Sequence, residues 1–512
     1  MDIDHPEARP EPPRTSPLDP RDMRLLARGS FLRGAAIAIG LLLGLPASVL
    51  LVRSLGVRGY GIYAFVISVV SFAGIVADLG IGTGVMRMAS QGSLGTGARW
   101  AETGRRMSIV LGIAATGACC LVAIWFHGVE RAALFLASPI ALGITVRSAM
   151  SGFLVARGRM LAAEGSLALQ QVSSYGPLII LSAVGVVSVV QAVGIQLASQ
   201  LVAFAVILPV WTRLVRGAGP PDSDQADASL TRRLAAFSVP LVLGSLAWVA
   251  MQRSDVILLG AIRGPAAVGF YSPVLRVVDL SAIALGVLGS YYLPVTARMV
   301  ETGDWERLRA MYLTVARWGI VLIGPFLGML IALPGPVLGL LFGDSYRGAA
   351  GIARVLAAGY LVNVLTGPNG LTLVALGKTR QIAIRSVVTL TLNLAANAFL
   401  IPRYGPLGAA AGTAIAYALL NIANSFLIRR EAGVHPLRRV VLGPAAAVGI
   451  GTAIGCLAVA VLGWQESVYG AVLIGAVAGV FGLAAAAATS TPERRSLTRS
   501  MLSQLRRRGD SS

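Results

Sequence analysis

Apolar runs of about 20 residues recur along almost the whole chain, separated by short gaps that carry Arg, Gly and Pro. About 20 apolar residues is the length a helix needs to cross the hydrocarbon core of a bilayer, so each run predicts one crossing. Fourteen are expected, at 31–53, 60–86, 107–126, 132–156, 165–186, 189–212, 234–262, 266–297, 312–342, 349–376, 381–402, 406–428, 440–463 and 467–489. The same pattern divides the chain. A disordered arm (1–30) precedes a first six-helix bundle (31–212), a linker (213–233), a second six-helix bundle (234–428), an additional helix pair (429–490) and a basic tail (491–512).

The charges sit where such a topology needs them. If the N-terminus is cytoplasmic, the inner segments hold 33 of the 43 Lys and Arg residues, and the outer gaps hold six: Arg53, Arg58, Arg131, Arg263, Arg347 and Arg403. Basic loops stay on the cytoplasmic side, so both termini are expected there. One missed or invented helix would scramble the alternation, which therefore supports the count of fourteen. Four basic residues fall within or at the edge of helices, namely Arg147, Arg253, Arg276 and Arg354.

With 55% apolar residues and only 13% charged, and a mean hydropathy of +0.75, the composition lies outside the soluble globular range. The net charge of +20 would suggest nucleic acid in a soluble protein, but here it is spread over many short loops rather than one face. Retention of those loops and attraction to anionic lipid headgroups account for it. Arg outnumbers Lys by 42 to 1, as GC-rich bacterial codons would give. Residues 1–30 lack the apolar core of a signal peptide. Cys119, Cys120 and Cys456 lie in apolar segments and read as small buried side chains, neither disulfide nor metal ligands. No cofactor motif occurs, and the outer loops are too short to hold acid and base residues against a sugar donor, so the chain is not expected to be an enzyme.

One stretch recurs. Leu55-Gly56-Val57-Arg58-Gly59-Tyr60-Gly61-Ile62-Tyr63 follows the first helix, and Leu259-Gly260 leading to Gly269-Phe270-Tyr271 follows the seventh, with the two Gly-x-Tyr triplets 208 positions apart. Leu154-Val155-Ala156-Arg157-Gly158-Arg159 and Leu373-Val374-Ala375-Leu376-Gly377-Lys378 form a second match in the same order. Helices 1–6 and 7–12 therefore read as two copies of one unit. Six is even, so the copies are parallel and related by an axis along the membrane normal, with a shared cavity between them.

These residues, with Asp78-Leu79-Gly80 and Leu400-Ile401-Pro402-Arg403-Tyr404-Gly405-Pro406-Leu407-Gly408-Ala409-Ala410, resemble the multidrug/oligosaccharidyl-lipid/polysaccharide exporter superfamily, in its polysaccharide (Wzx-type) flippase branch. The resemblance implies an all-α polytopic protein with a V-shaped pair of six-helix bundles. It also implies alternating access and movement of an undecaprenyl-pyrophosphate-linked oligosaccharide across the bacterial cytoplasmic membrane. A lipid II flippase, a cation-coupled drug exporter and a non-transporting scaffold for envelope synthesis are the alternatives. The partners implied are the lipid-linked glycan, membrane lipid, a coupling H⁺ or Na⁺ and other envelope-polysaccharide assembly proteins.

Charges inside the membrane are expensive and mark function by default. Arg147, near the midplane of helix 4 with no acid within one turn, is the first candidate to hold a pyrophosphate, for which the planar guanidinium fork is suited; Arg276 and Arg253 follow. Arg276 and Asp279, three apart, read equally as an intrahelical pair. Arg253 and Asp255 point to different faces, so at least one is expected to reach the outer interface. Asp255, Asp279 and Asp78 are candidates for ion coupling, although Asp78 beside a helix end reads first as a cap. Gln170, Gln196, Asn363 and Asn369 are candidate glycan contacts, while interhelical hydrogen bonding is the plainer role for each amide. Pro46, Pro240, Pro273 and Pro368 interrupt helices 1, 7, 8 and 10.

Overall fold

A computed structural model describes residues 20–221, 227–434 and 439–509. Among these the chain is helical, with no strand. In chain order the helices are α1 (Pro20–Asp78), α2 (Ile81–Ala89), α3 (Leu94–Ile124), α4 (Gly128–Ala137), α5 (Pro139–Ala156), α6 (Met160–Val184), α7 (Val189–Arg216), α8 (Asp227–Arg263) and α9 (Pro265–Glu301). They continue as α10 (Trp305–Ala332), α11 (Pro334–Phe342), α12 (Ala350–Thr366), α13 (Asn369–Ala375), α14 (Thr379–Tyr404), α15 (Pro406–Ala432), α16 (Arg439–Leu462) and α17 (Val468–Gly509). A short 3₁₀ turn, Asp344–Ala349, joins α11 to α12.

Among the described residues eleven helical spans are long and apolar enough to cross a membrane, and the fourteen expected passages are consistent with them. One span, Ala38–Ala89, covers 52 residues, or roughly 78 Å at 1.5 Å per residue, far more than one crossing. It breaks at Gly56 (φ 67°, ψ 178°), and its second part includes α2. The 37-residue helices α8 and α9 supply the seventh and eighth passages. Proline and glycine make the other breaks: Ser138-Pro139 divides α4 from α5, Leu333-Pro334 divides α10 from α11, and Gly367-Pro368 divides α12 from α13. Each missing or strained N–H ends one hydrogen-bonded run.

Some expected boundaries move. Helix α3 begins at Leu94 rather than 107, because Ser93 caps it by accepting from the Thr96 N–H and because Glu102 pairs with Arg105 and Arg106 along the same face. Most of the expected disordered arm (1–30) lies outside the described residues, but Pro20 onward is already α1. The basic tail continues α17 as helix to Gly509.

The two copies pack alike. In each half the first helix lies on the fifth (α1 on α6, α8 on α14), the third on the fourth (α3 on α5, α10 on α12), and the fifth on the sixth (α6 on α7, α14 on α15). Helices α16 and α17 pack on each other and on α10, so the additional pair belongs to the second half. The halves meet chiefly through α1 against α8 and α9.

That meeting is the recurrent motif. Gly264 (φ 80°, ψ 176°) repeats the backbone of Gly56 208 positions later, in a region of φ/ψ space that is essentially glycine's own. A Cβ on Gly61 would lie 1.8 Å from the Pro265 carbonyl oxygen, and a Cβ on Gly269 would lie 1.9 Å from that of Val57. Both glycines and both carbonyls obey the same offset, so the contact has pseudo-twofold symmetry. Tyr346 Oη, donating to the Gly269 carbonyl at 2.8 Å, and Arg53 Nε, donating to Leu341 O at 2.9 Å, tie the same end of the bundle.

Two measurements check this architecture. In a background with Cys119, Cys120 and Cys456 changed to Ser, Val186→Cys should react with an impermeant maleimide in intact cells and Gln91→Cys only after permeabilisation; the opposite pattern would invert the orientation. Gly61→Val should lower the unfolding temperature, since overpacking costs at least about 1–3 kcal/mol. Gly117→Val, with nothing within 4 Å of its Cβ position, should leave it nearly unchanged.

Candidate functional site

Of the four basic residues left over from the loops, Arg253 and Arg276 come together where the two halves meet. On α1, Pro46 has no N–H to give, and two residues later Ser48 Oγ donates to the Gly44 carbonyl at 2.7 Å. Arg276, on α9 of the other half, reaches this segment: its Nη1 donates to Ser48 Oγ at 2.7 Å and to Gly44 O at 3.4 Å. Tyr60, Tyr63 and Tyr175 surround the guanidinium. Tyr175 packs on Gly44, where a Cβ would meet its ring at 3.4 Å. Tyr63 Oη accepts from Gln196 Nε2 at 2.7 Å, and Gln196 Oε1 accepts from Ser174 Oγ at 2.7 Å. The first half thus presents a tyrosine-lined wall to an arginine of the second.

Arg253, on α8, has Arg276, Asp255 and Asp279 as its charged neighbours. At least one of Arg253 and Asp255 was expected to reach the outer interface, but Arg253 is half-buried and Asp255 buried, because α8 packs against α1, α9 and α14. Asp279 accepts from Tyr360 Oη. The expected intrahelical pair with Arg276 gives way to these longer-range partners, since Arg276 turns across the interface to Ser48. Tyr360 stacks on Tyr417 with ring centroids 5.1 Å apart, and Tyr417 Oη donates to Gln252 Oε1.

Asp255 faces the other way, as two residues along a helix require. It is 1% exposed and accepts from the Tyr271 hydroxyl and, at 3.3 Å, from Thr413 Oγ1. Beside it Ser254 Oγ donates to Asn393 Oδ1 at 3.0 Å, and Asn397 Nδ2 donates to the same oxygen at 3.2 Å. Among the described residues Asn397 Oδ1 is buried without a hydrogen-bond partner. A carboxylate, a hydroxyl and two amide oxygens therefore gather between α8, α14 and α15.

Arg147 lies elsewhere. It lines an open cavity of about 370 Å³ bounded by the end of α1 with α2, α5 and α6, together with Asp78, Ser148, Ser151, Thr83 and Glu164. No acid lies within one turn of it on its own helix, but Glu164 and Asp78 are its charged neighbours from other helices. The α1–α2 turn carries Asp78 there through Leu79 (φ 44°) and Gly80 (φ 70°). The following glycine makes the close approach, since a Cβ on Gly82 would meet Ser148 Oγ at 2.3 Å.

The amides divide. Asn369, 5% exposed, donates to Asn421 Oδ1 at 2.8 Å and holds helices together. Gln196 supports Tyr63 as above. Gln170 is half-buried on α6 with its Oε1 unpartnered among the described residues, and Asn363 is half-buried on α12, its carbonyl accepting from Thr366 at 3.0 Å. Sequence reasoning missed the tyrosines. Five of the largest fully buried side chains are Tyr60, Tyr271, Tyr292, Tyr312 and Tyr346, and a hydroxyl inside an apolar run was the available signal.

Comparison with known proteins places this arrangement. Residues 26–300 match the family described as polysaccharide biosynthesis protein. A curated relative, the probable low-salt glycan biosynthesis flippase Agl15 of Haloferax volcanii, is 23% identical over 195 residues, which are 38% of this chain and 41% of the relative. The chain thus matches less than half the length of that relative. Among solved structures, the lipid II flippase MurJ in an inward closed conformation aligns over 91% of this chain and 100% of its own, with a TM-score of 0.69 and 13% identity. An inward-facing multidrug resistance MATE family transporter of the MOP superfamily aligns over 79% of this chain and 98% of its own, with a TM-score of 0.63 and 16% identity. At these identities the structures speak for the fold, and the family match, which spans more than half the chain, speaks for kinship: this multi-pass membrane protein belongs to the polysaccharide biosynthesis protein family, on the fold shared by MurJ and the MATE transporters.

Proposed function

We propose that the protein is a flippase that carries a lipid-linked oligosaccharide across the bacterial cytoplasmic membrane by alternating access, with its basic end in the cytoplasm. The observation that carries this reading is Arg276, held with Arg253 at the junction of the two halves and faced by the tyrosines of the first. A buried guanidinium is costly to maintain in a membrane, and here it is kept where two bundles meet rather than within one. The fork of donors matches the oxygens of a pyrophosphate. Tyrosine rings offer apolar faces to sugar C–H groups and hydroxyls to their oxygens. An undecaprenyl chain on the pyrophosphate would stay in the bilayer while the polar headgroup passes between the halves. Relatives of both kinds, a glycan biosynthesis flippase and a lipid II flippase, support a lipid-linked glycan as cargo. The reading requires no covalent step.

Rocking requires the glycine crossing between α1 and α9 to part. Because Arg276 bonds Ser48 across the same junction, a pyrophosphate that takes over the guanidinium would release one tie between the halves as it binds. The oxygen cluster of Asp255, Thr413, Asn393 and Asn397 is the best candidate to couple that motion to Na⁺ or H⁺. Sodium takes oxygen ligands of this kind, and a lone carboxylate that also accepts from Tyr271 is equally able to carry a proton. Asp279 and Asp78 are the lesser candidates.

In proteoliposomes loaded with an undecaprenyl-pyrophosphate oligosaccharide, Arg276→Ala should cut translocation at least tenfold, the effect of about 1.5–3 kcal/mol for a hydrogen bond to a charged group. Arg276→Lys should keep part of it, and wild-type rates in both variants would remove Arg276 from the cargo site. Asp255→Asn should abolish acceleration by an imposed Na⁺ or proton gradient while leaving slow exchange. Acceleration undiminished in that variant would dismiss Asp255 as the coupling group.

A further inference from the structure

The Arg147 cavity does not fit the anion role that its arginine first suggests. Its charged lining is one guanidinium and two carboxylates, Arg147 against Asp78 and Glu164, a formal balance of −1. A pyrophosphate would meet a net negative wall, and a bare cation would meet the arginine. The polar lining instead mixes donors and acceptors: the guanidinium only donates, the carboxylates only accept, and the hydroxyls of Thr83, Ser148 and Ser151 do both.

Asp78 is tied to Ser148 and to the Gly80 and Gly82 backbone, but two buried atoms of this lining, Arg147 Nε and Ser151 Oγ, have no partner among the described residues. Each would cost about 1–3 kcal/mol if left unsatisfied, so the cavity favours water or another polar occupant. About 370 Å³ lies at the lower end of the range of small-molecule sites, roughly 300–1,000 Å³, and exceeds what one ion needs. A sugar ring has the required character: each hydroxyl both donates and accepts, and the ring's C–H face suits apolar neighbours such as Ile75, Ile144 and Leu167.

The position of the cavity connects it to the central site. Glu164, Gln171 and Tyr175 lie on one face of α6, because 11 residues complete about three turns and advance about 16 Å. Gln171 and Tyr175 meet Gly40 and Gly44 of α1, and Gly44 is where Arg276 arrives. One polar track on α6 therefore runs from the Arg276 cluster to the cavity, toward the basic end of the bundle. The turn that aims Asp78 is strained at Leu79 (φ 44°), a conformation costing a non-glycine residue roughly 1–2 kcal/mol. Strain of this kind is retained where geometry serves a site.

We propose that the cavity between α1, α2, α5 and α6 is a glycan subsite that takes one neutral or amino-bearing sugar unit and rejects an acidic one. The proposal rests on the flippase reading above and adds to it the class of sugar the protein accepts. With the pyrophosphate at Arg276, the glycan extends along α6 toward the cytoplasm, and its charge is read by Asp78 and Glu164.

The test uses the full-length protein in nanodiscs and three probes: methyl α-glucoside, its 2-amino analogue and its uronic acid analogue. Saturation-transfer NMR should show the first two binding and the uronate at least tenfold weaker. Glu164→Lys should reverse that preference. Should Glu164→Lys fail to fold, the milder Glu164→Gln and the near-isosteric Thr83→Val, each with an unfolding temperature near wild type, should weaken the neutral and amino glycosides severalfold. Equal binding of all three probes, no binding of any, or wild-type binding in both mild variants would overturn the subsite. Translocation of lipid-linked oligosaccharide by the same wild-type preparation is scored separately. Transport without sugar selectivity sinks the subsite and leaves the flippase, whereas selectivity without transport sinks the flippase and leaves the subsite.

Discussion

Two carbonyl oxygens, of Val57 and Pro265, each rest on a glycine of the opposite half, and the remaining architecture is arranged around that crossing. No side chain fits there, so Gly61 and Gly269 are required for the halves to meet at backbone distance. Gly56 and Gly264 supply the left-handed turns that bring the two helices to it. Contact through backbone and small residues is how helices associate tightly in lipid, where apolar burial gives no drive. It is also a contact that two rigid bodies can make and leave without repacking large side chains. A protein that must open on alternate sides needs such a seam.

The symmetry ends at the chemistry. Tyr63 and Tyr271 occupy equivalent places in the repeat, yet Tyr63 holds Gln196 while Tyr271 holds Asp255. Moving 208 positions back from Asp255, Arg276 and Asp279 leads to Ala47, Ser68 and Ser71. The second half has gained charge where the first kept small neutral residues, and the first half carries its own charged trio at Asp78, Arg147 and Glu164. On the proposed reading, the two copies of one scaffold divide the work, one taking an anion and a coupling ion, the other the glycan. Their charge differs accordingly: guanidinia beside tyrosines at the junction of the halves, and two carboxylates against one guanidinium in the first half's cavity.

Much of this was legible in the sequence because it depends on periodic or local features. The alternation of basic gaps with apolar runs yields fourteen passages, and the repeated Gly-x-Tyr stretch marks the seam between halves. What was hidden depends on distance in the chain. Glu164 is 17 residues from Arg147 and Asp78 is 69, so the cavity's charge balance emerges only when α2, α5 and α6 pack. Arg276 and Asp279 satisfied a local pairing rule, but Ser48 and Tyr360, each on a different helix, took the two partners apart. Buried tyrosines carried no pattern of their own, since an aromatic in an apolar run looks like packing until its hydroxyl finds a carboxylate or amide.

The central claim is that the two halves separate at the glycine crossing during transport. Val186 and Tyr404, both 59% exposed, lie at equivalent turns of the two halves at the end of the bundle away from the basic loops. Spin labels on cysteines at these positions, in a cysteine-free background, report the distance between the halves by double electron–electron resonance. During turnover of lipid-linked oligosaccharide a second, longer distance population should appear, and Gly61→Val, which wedges the crossing, should enrich it even without cargo. A single unchanged distance with cargo present and in the variant would contradict alternating access about this seam.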